Sequence, residues 1–181
     1  MIKPWPSRNR KQVGDFRIFT VHTDRRTSPR TGEEHDFFVI NTRNWVNIIA
    51  VTPDEHLVMV EQFRHGSETV ELEVPGGVMD AEDGSPLVTA ERELREETGY
   101  SGKPPKLLGE IFPNPAIMNN RCYTVFVEDC HLKHPTELDP GEDLVTHLVP
   151  LKEVPDLVRA GKIRHAIVVV ALYHFELARR R

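Results

Sequence analysis

Three acidic side chains on one helical face carry the clearest chemical capacity in this 181-residue sequence. The stretch 85–98 reads as a helix. Ser85 suits the N-cap, Pro86 the first helical position and Gly99 the position just past the end. At about 100° per residue, Leu87, Ala90 and Leu94 share one side, an ordinary core stripe. Glu93, Glu96 and Glu97 fall beside it within an arc of roughly 100°. Like charges at these spacings weaken a helix by a few tenths of a kcal/mol per pair, so the arrangement calls for compensation. A hard divalent cation supplies it, because Mg²⁺ takes a few carboxylates together with phosphate oxygens and water. The plainer reading of the charges is a solvated acidic face with Arg92 and Arg95 as partners. The pair Gly76-Gly77 ahead of the helix lets backbone carbonyls approach the same point.

The run Arg92-Glu93-Leu94-Arg95-Glu96-Glu97-Thr98-Gly99-Tyr100 resembles the second half of the Nudix box, which reads R-E-U-x-E-E-x-G-U with U apolar or aromatic. The spacing from Gly77 to Arg92 is one residue longer than the family pattern. The loop glutamate of that pattern therefore falls on Glu82 or, by shape, on Asp83. The resemblance implies an α+β fold, a mixed β-sheet sandwiched between helices, with the box forming loop, helix and loop. It implies that Glu93, Glu96 and Glu97 are metal ligands and that the carbonyl of Gly76 completes the site. Mg²⁺ is the implied metal, with Mn²⁺ able to substitute. Arg92 would orient the glutamates by ion pairing.

Outside the box the chain resembles the ADP-ribose pyrophosphatase and nucleoside diphosphate sugar hydrolase branch. The resemblance runs over roughly residues 14–177 and rests on four stretches. They are Leu57-Val-Met-Val-Glu-Gln-Phe-Arg64, then Glu71-Leu-Glu-Val-Pro-Gly-Gly77, then Asn114-Pro-Ala-Ile-Met-Asn-Asn120 and finally Gly161-Lys-Ile163. It implies hydrolysis of ADP-ribose or a related nucleotide sugar to a nucleoside monophosphate and a sugar phosphate. Pro115 and Met118 would then contact substrate. Arg64, which follows a strand, could pair with the diphosphate, since a guanidinium matches phosphate oxygens; a surface ion pair is the alternative. The chemistry needs a water and a group to take its proton. In this branch the base is often a loop glutamate before a late strand. Glu142 in the acidic loop 137–143 is the first candidate, Asp143 the second, and Glu97 on the helix the alternative. Trp5, Phe16, Phe19 and Trp45 could stack on a base or simply build core. None of the nine histidines shows metal spacing, and His131 with His134 reads as a loop pair.

The elements that must position these groups follow from periodicity. Residues 1–12, with their prolines and basic side chains, read as an irregular arm. Residues 16–22 and 37–40 read as two strands around the turn-forming stretch 27–33, giving a hairpin unit. Strands are predicted at 45–52, 57–63, 70–74, 106–112, 122–128 and 144–151. A short helix is predicted at 151–160 and a longer one at 163–179, where length outweighs the strand propensity of Ile167-Val-Val-Val170. The expected organisation is an arm and hairpin, residues 1–42, followed by a catalytic domain, residues 43–181. A homodimer in which the hairpin crosses to the partner is what the resemblance implies.

Composition narrows the class further. Apolar residues make up 39% and charged residues 28%, which suits a soluble globular protein. A formal net charge of −5 argues against general nucleic-acid binding, which needs a basic surface, but not against an anionic small substrate held through metal. Cys122 and Cys130 cannot build a disulfide framework, so a cytoplasmic setting is expected. The first residues lack a secretory core, and the apolar run 166–173 is too short to span a membrane. Two other functions fit less well. A Nudix hydrolase of free nucleoside triphosphates is disfavoured by Pro115 and the hairpin. A non-catalytic Nudix nucleotide-binding module is disfavoured by the intact acids.

Overall fold

The structure, a computed structural model, describes residues 1–180; Arg181, the end of the second expected domain, lies outside the described residues. The chain forms two compact units, one of Met1–Asn44 with Phe112–Arg121, the other of Trp45–Ile111 with the segment that starts at Cys122.

In the first unit, strands β1 (Ser7–Asp15), β2 (Phe19–Thr27) and β3 (Glu34–Thr42) form an antiparallel sheet in that order. The expected hairpin is β2–β3. Its turn is closed by the Ser28 N–H donating to the Glu33 carbonyl at 2.8 Å, with Gly32 at φ 78°. Two expectations need correcting. Residues 7–12 are not an irregular arm but belong to β1. Their polar run has no strand pattern of its own. They are held by pairing with β2 and by the buried Asp24, which accepts from Ser7 and Arg26. Residues 16–18 are not the start of a strand but the β1–β2 turn, with Arg17 at φ 68°. The returning segment joins this unit through the Ile40 N–H, which donates to the Ile117 carbonyl at 2.7 Å.

The second unit begins with β4 (Trp45–Ala50), β5 (His56–Arg64), β6 (Thr69–Glu73) and β7 (Gly76–Val78). Then come α1 (Pro86–Thr98), β8 (Tyr100–Ser101), β9 (Lys106–Ile111), β10 (Cys122–Val127), β11 (His131–Leu132) and β12 (Leu144–Pro150). A 3₁₀ turn at Leu151–Glu153 leads into α2 (Val154–Arg159), and α3 (Ala166–Arg179) closes the chain. One sheet has the order β7-β4-β10-β9, mixed because β4 and β10 run parallel. A second has the order β12-β5-β6, and β8 pairs with β11.

Alternation along β4 sends its side chains to opposite faces. Val46, Ile48 and Ala50 pack with Ala90 and Leu94 of α1. Ile49 packs with Val168, Ala171 and Phe175 of α3. The mixed sheet is thus sandwiched between α1 and α3, the expected α+β architecture. Burial of the 167–170 run against the sheet stabilises it as helix despite its β-branched residues. The short strands β7, β8 and β11 exist only through their partners, and no periodicity announces them.

Candidate active site

Helix α1 positions the acidic face as its sequence dictates. Ser85 is extended at φ −154°, ψ 155°, and its hydroxyl accepts from the Val88 N–H; Gly99 sits at φ 73° and donates to the Arg95 carbonyl at 2.8 Å. A side chain at Gly99 would be strained by that φ and would also meet the His134 carbonyl, so glycine is required there.

The three glutamates differ in setting. Glu93 and Glu97 are buried, 8% and 5% exposed, while Glu96 is half-buried between two arginines, accepting from Arg92 at 3.0 Å and Arg95 at 3.3 Å. Glu97 Oε2 accepts from the backbone N–H of Gly76 at 3.0 Å. Glu93 lies against Gly77, where a Cβ would come within 2.3 Å of its Oε1. The glycine pair is therefore what lets the strand β7 backbone approach the helix carboxylates.

Arg92 ties the loop to the helix. Its Nε and Nη2 donate to Asp83 at 3.1 and 2.9 Å, and its Nη1 lies 3.0 Å from both Glu93 and Glu96. Asp83 also accepts from the Thr89 hydroxyl and the Asp80 N–H. The Arg92 guanidinium, together with these donors, holds the Asp83 carboxyl down at about 2. Of the two loop acids proposed from sequence, Glu82 is exposed and Asp83 faces Arg92. The extra loop residue thus leaves Asp83 in the structural position.

Burial drives the opposite shift on the helix. It lifts Glu97 to about 8, with the negative charges of Glu93 and Glu142 adding to it and the Gly76 N–H opposing it. It lifts Glu93 to about 7, only partly offset by Arg92. Two buried carboxylates four residues apart thus lack a sufficient counter-charge. Their oxygen donors suit a hard divalent cation, whose charge would relieve both penalties. Among the described residues, no three His, Cys, Asp or Glu side chains are grouped so as to hold a metal ion as they stand; Glu96 is turned to Arg92 and Arg95.

Glu142 is folded back on its own loop, its Oε2 accepting from the Asp139 N–H at 3.1 Å. Its charge is felt at Glu93, Glu97 and Arg64, which places it in the same neighbourhood, whereas Asp143 is exposed. Arg64 makes a two-point pair with Glu73, at 2.8 and 2.9 Å. Glu73 is 2% exposed and also receives His165 Nδ1 at 2.7 Å. Burial pushes the Glu73 carboxyl up, but the His165 and Arg64 hydrogen bonds outweigh it and leave the group at about 2. Arg64 is therefore not a simple surface pair. Pro115 and Met118 lie in the first unit, where Met118 forms an isolated bridge with Ile40. Trp5, Phe16 and Phe19 are also there. Phe16 stacks on Phe19 at 5.0 Å and Trp5 meets Phe37 edge-on at 5.6 Å. Trp45 opens β4, and His131 pairs with Asp129.

Glu73 and its neighbour Glu71, which is buried and paired with Arg164, were missed as a charged group. The signal was available, because acids at alternating positions of a buried strand demand partners.

Known proteins resemble this chain over most of its length. An ADP-ribose pyrophosphatase from Bacillus subtilis is 29% identical over 133 residues, 73% of this chain and 71% of that protein. A methanol dehydrogenase activator from Bacillus methanolicus is 26% identical over 168 residues, 92% of this chain and 90% of that protein. The solved structure of an ADP compounds hydrolase superposes with a TM-score of 0.86 at 24% identity, covering 97% of this chain and 94% of the other, which establishes the fold. Residues 41–170, spanning the glycine pair, the acidic helix and the late strands, match the NUDIX domain, and the chain belongs to that family.

Proposed function

We propose that this chain hydrolyses the diphosphate linkage of ADP-ribose or a related nucleoside diphosphate sugar, giving a nucleoside monophosphate and a sugar phosphate. The observation that carries this reading is the pair of buried, under-compensated carboxylates, Glu93 and Glu97, set against Gly76 and Gly77. A relative named ADP-ribose pyrophosphatase supports the substrate class.

Glu93, Glu96, Glu97 and the backbone of Gly76 would hold Mg²⁺, with Mn²⁺ able to replace it. When bound, the cation would neutralise charge at the diphosphate and ease deprotonation of the attacking water. Arg92 fixes the carboxylates by bridging Asp83, Glu93 and Glu96. Arg64, held in place by Glu73, offers its guanidinium to the diphosphate. Glu142 takes the proton of the attacking water once its loop releases it from Asp139, and Glu97 is the alternative. Pro115 and Met118 would contact the substrate.

We assign the protein a cytoplasmic setting and a homodimeric state built on residues 1–42. No helix among the described residues is long and apolar enough to cross a membrane. Both cysteines are free and buried. The first unit exposes Phe16, Ile18, Phe37 and Phe38, an apolar set that a second copy would cover.

Two measurements test these statements. Incubation with Mg²⁺ and a panel of nucleoside diphosphate sugars and nucleoside triphosphates, with products separated by anion exchange, should yield AMP and ribose 5-phosphate from ADP-ribose. Cleavage of triphosphates alone would overturn the substrate class. Light scattering should give about twice 20.7 kDa, and a fully active monomer at micromolar concentration would refute the dimer.

A further inference from the structure

A cavity of about 620 Å³ opens beside Arg64 in the second unit, away from any residue considered so far as a metal ligand. Its size falls within the roughly 300–1,000 Å³ of small-molecule sites. Its polar lining is the Ser67 and Thr69 hydroxyls, two guanidinium groups, two carboxylates and the His165 ring, with Gly66 and Ala166 completing the wall. Donors and acceptors alternating over so short a span suit an oxygen-rich group.

Two matched ion pairs build it. Glu71 and Glu73 stand at alternate positions of β6 and so share a face, about 7 Å apart along the strand. Glu73 holds Arg64 through Nε and Nη2. Glu71, itself 6% exposed, holds Arg164 through the same two atoms and also accepts from Thr69. In each arginine the Nη1 group engages no protein atom among the described residues. Each guanidinium is thus fixed from behind by a carboxylate and presents a free donor edge. Arg64 is held by Glu73, three residues before Gly76, whose N–H meets Glu97, so it marks the side of the cavity nearest the acidic helix. Arg164 stands one strand step further away.

We infer that this cavity is the subsite for the sugar phosphate half of the substrate, and that Arg164 is its specificity-determining residue, donating through Nη1 to a hydroxyl oxygen of the pentose. The inference rests on the diphosphate-hydrolase reading, with Arg64 at the diphosphate. Pairing each arginine to a buried glutamate keeps the wall near neutral, which favours a hydroxylated sugar over a second strongly anionic group.

Arg164→Lys tests it, because lysine keeps the charge partner of Glu71 but lacks the second donor edge. The double variant Glu71→Leu with Arg164→Met, which removes the pair without leaving a buried charge, guards against misfolding. Calorimetric titration with ribose 5-phosphate should show at least about a tenfold weaker affinity in both variants, the scale of one lost charge-assisted hydrogen bond. The ratio of kcat/KM for ADP-ribose to that for the methyl ester of ADP, which has no sugar beyond the diphosphate, should fall by a similar factor. Wild-type affinity for ribose 5-phosphate in Arg164→Lys would overturn the inference. So would equal losses on the two diphosphates, which would make Arg164 a merely structural partner of Glu71. If the wild-type protein cleaves neither diphosphate, the hydrolase reading fails, while the ribose 5-phosphate titration still decides the cavity.

Discussion

Replacing Glu97 by glutamine in metal-free protein separates what the acidic helix costs from what it does. The Glu97 carboxyl rises from 4.5 to about 8, chiefly through burial. The folded state therefore holds its proton more tightly than the unfolded chain. For an acid shifted upward, stability is highest below pH 4.5, falls as pH rises through about 8 and levels off about one unit above that. Each unit corresponds to about 1.4 kcal/mol, so the full loss is up to about 5 kcal/mol. About 2 kcal/mol is already lost at pH 6, which leaves up to about 3 kcal/mol between pH 6 and pH 9. Glutamine keeps an oxygen that can accept from the Gly76 N–H, yet it never ionises. In a chelator, Glu97→Gln should melt above the wild type, with a gap that widens by roughly 6–12 °C from pH 6 to pH 9 at about 2–4 °C per kcal/mol. Added Mg²⁺ should then raise the wild-type melting temperature and not that of the variant, because only the wild type retains the charged ligand. A gap that stays constant across this pH range would refute the reasoning, since it would mean that Glu97 does not titrate there.

Three further perturbations follow from the same geometry. Glu142→Gln should lower kcat by about 10²–10⁴ with little change in KM, with Asp143→Asn as the matched control. If Glu142→Gln retains more than about a tenth of wild-type kcat, a large loss in Asp143→Asn moves the role to Asp143, and losses in neither variant return it to Glu97. Gly77→Ala would place a methyl group 2.3 Å from Glu93 Oε1, so Glu93 must move, and Mg²⁺ affinity by calorimetry should fall about 10–100-fold; unchanged affinity would show that Glu93 is not a ligand. Asp83→Asn should destabilise the protein by about 2 kcal/mol at neutral pH, because the Asp83 carboxyl sits at about 2 instead of 3.8 and each unit is worth about 1.4 kcal/mol. That contribution is present above pH 3.8 and disappears as pH falls through about 2, so the denaturant midpoints of the two proteins should converge in acid.

Which parts of the fold the sequence revealed depended on where the ordering information resides. Helix α1 was legible to the residue because Ser85, Pro86 and Gly99 encode its ends locally and Leu87, Ala90 and Leu94 encode its buried face. β4 was legible because its core residues are apolar on both faces. β1 was not, because Ser7–Asp15 is almost wholly polar and exposed, and only its ladder with β2 makes it a strand. β7 was not expected because Gly76 and Gly77 are poor strand residues; they are there because the backbone must pass close to Glu93 and Glu97. A functional demand overrides propensity at that point, which is where local reading is expected to fail.

The acidic site shows the same division. Glu93, Glu96 and Glu97 showed their common face through spacing, since helical periodicity converts sequence separation directly into a shared side, while their reading as metal ligands came from the resemblance of residues 92–100 to the Nudix box. Their unequal settings were legible in neither, because burial of Glu93 and Glu97 but not Glu96 depends on which elements pack against each side. The role of Asp83 was ambiguous in sequence, where a one-residue insertion leaves two acids competing for one position. It is resolved by Arg92, whose fork reaches Asp83 at two points while Glu82 stays exposed. The pairs of Glu71 with Arg164 and Glu73 with His165 bridge more than ninety residues of chain, beyond any local pattern. What sequence offered there was a constraint. Two acids facing one way from a buried strand cannot stay unpaired, and the fold meets that constraint with arginines whose free edges line a cavity.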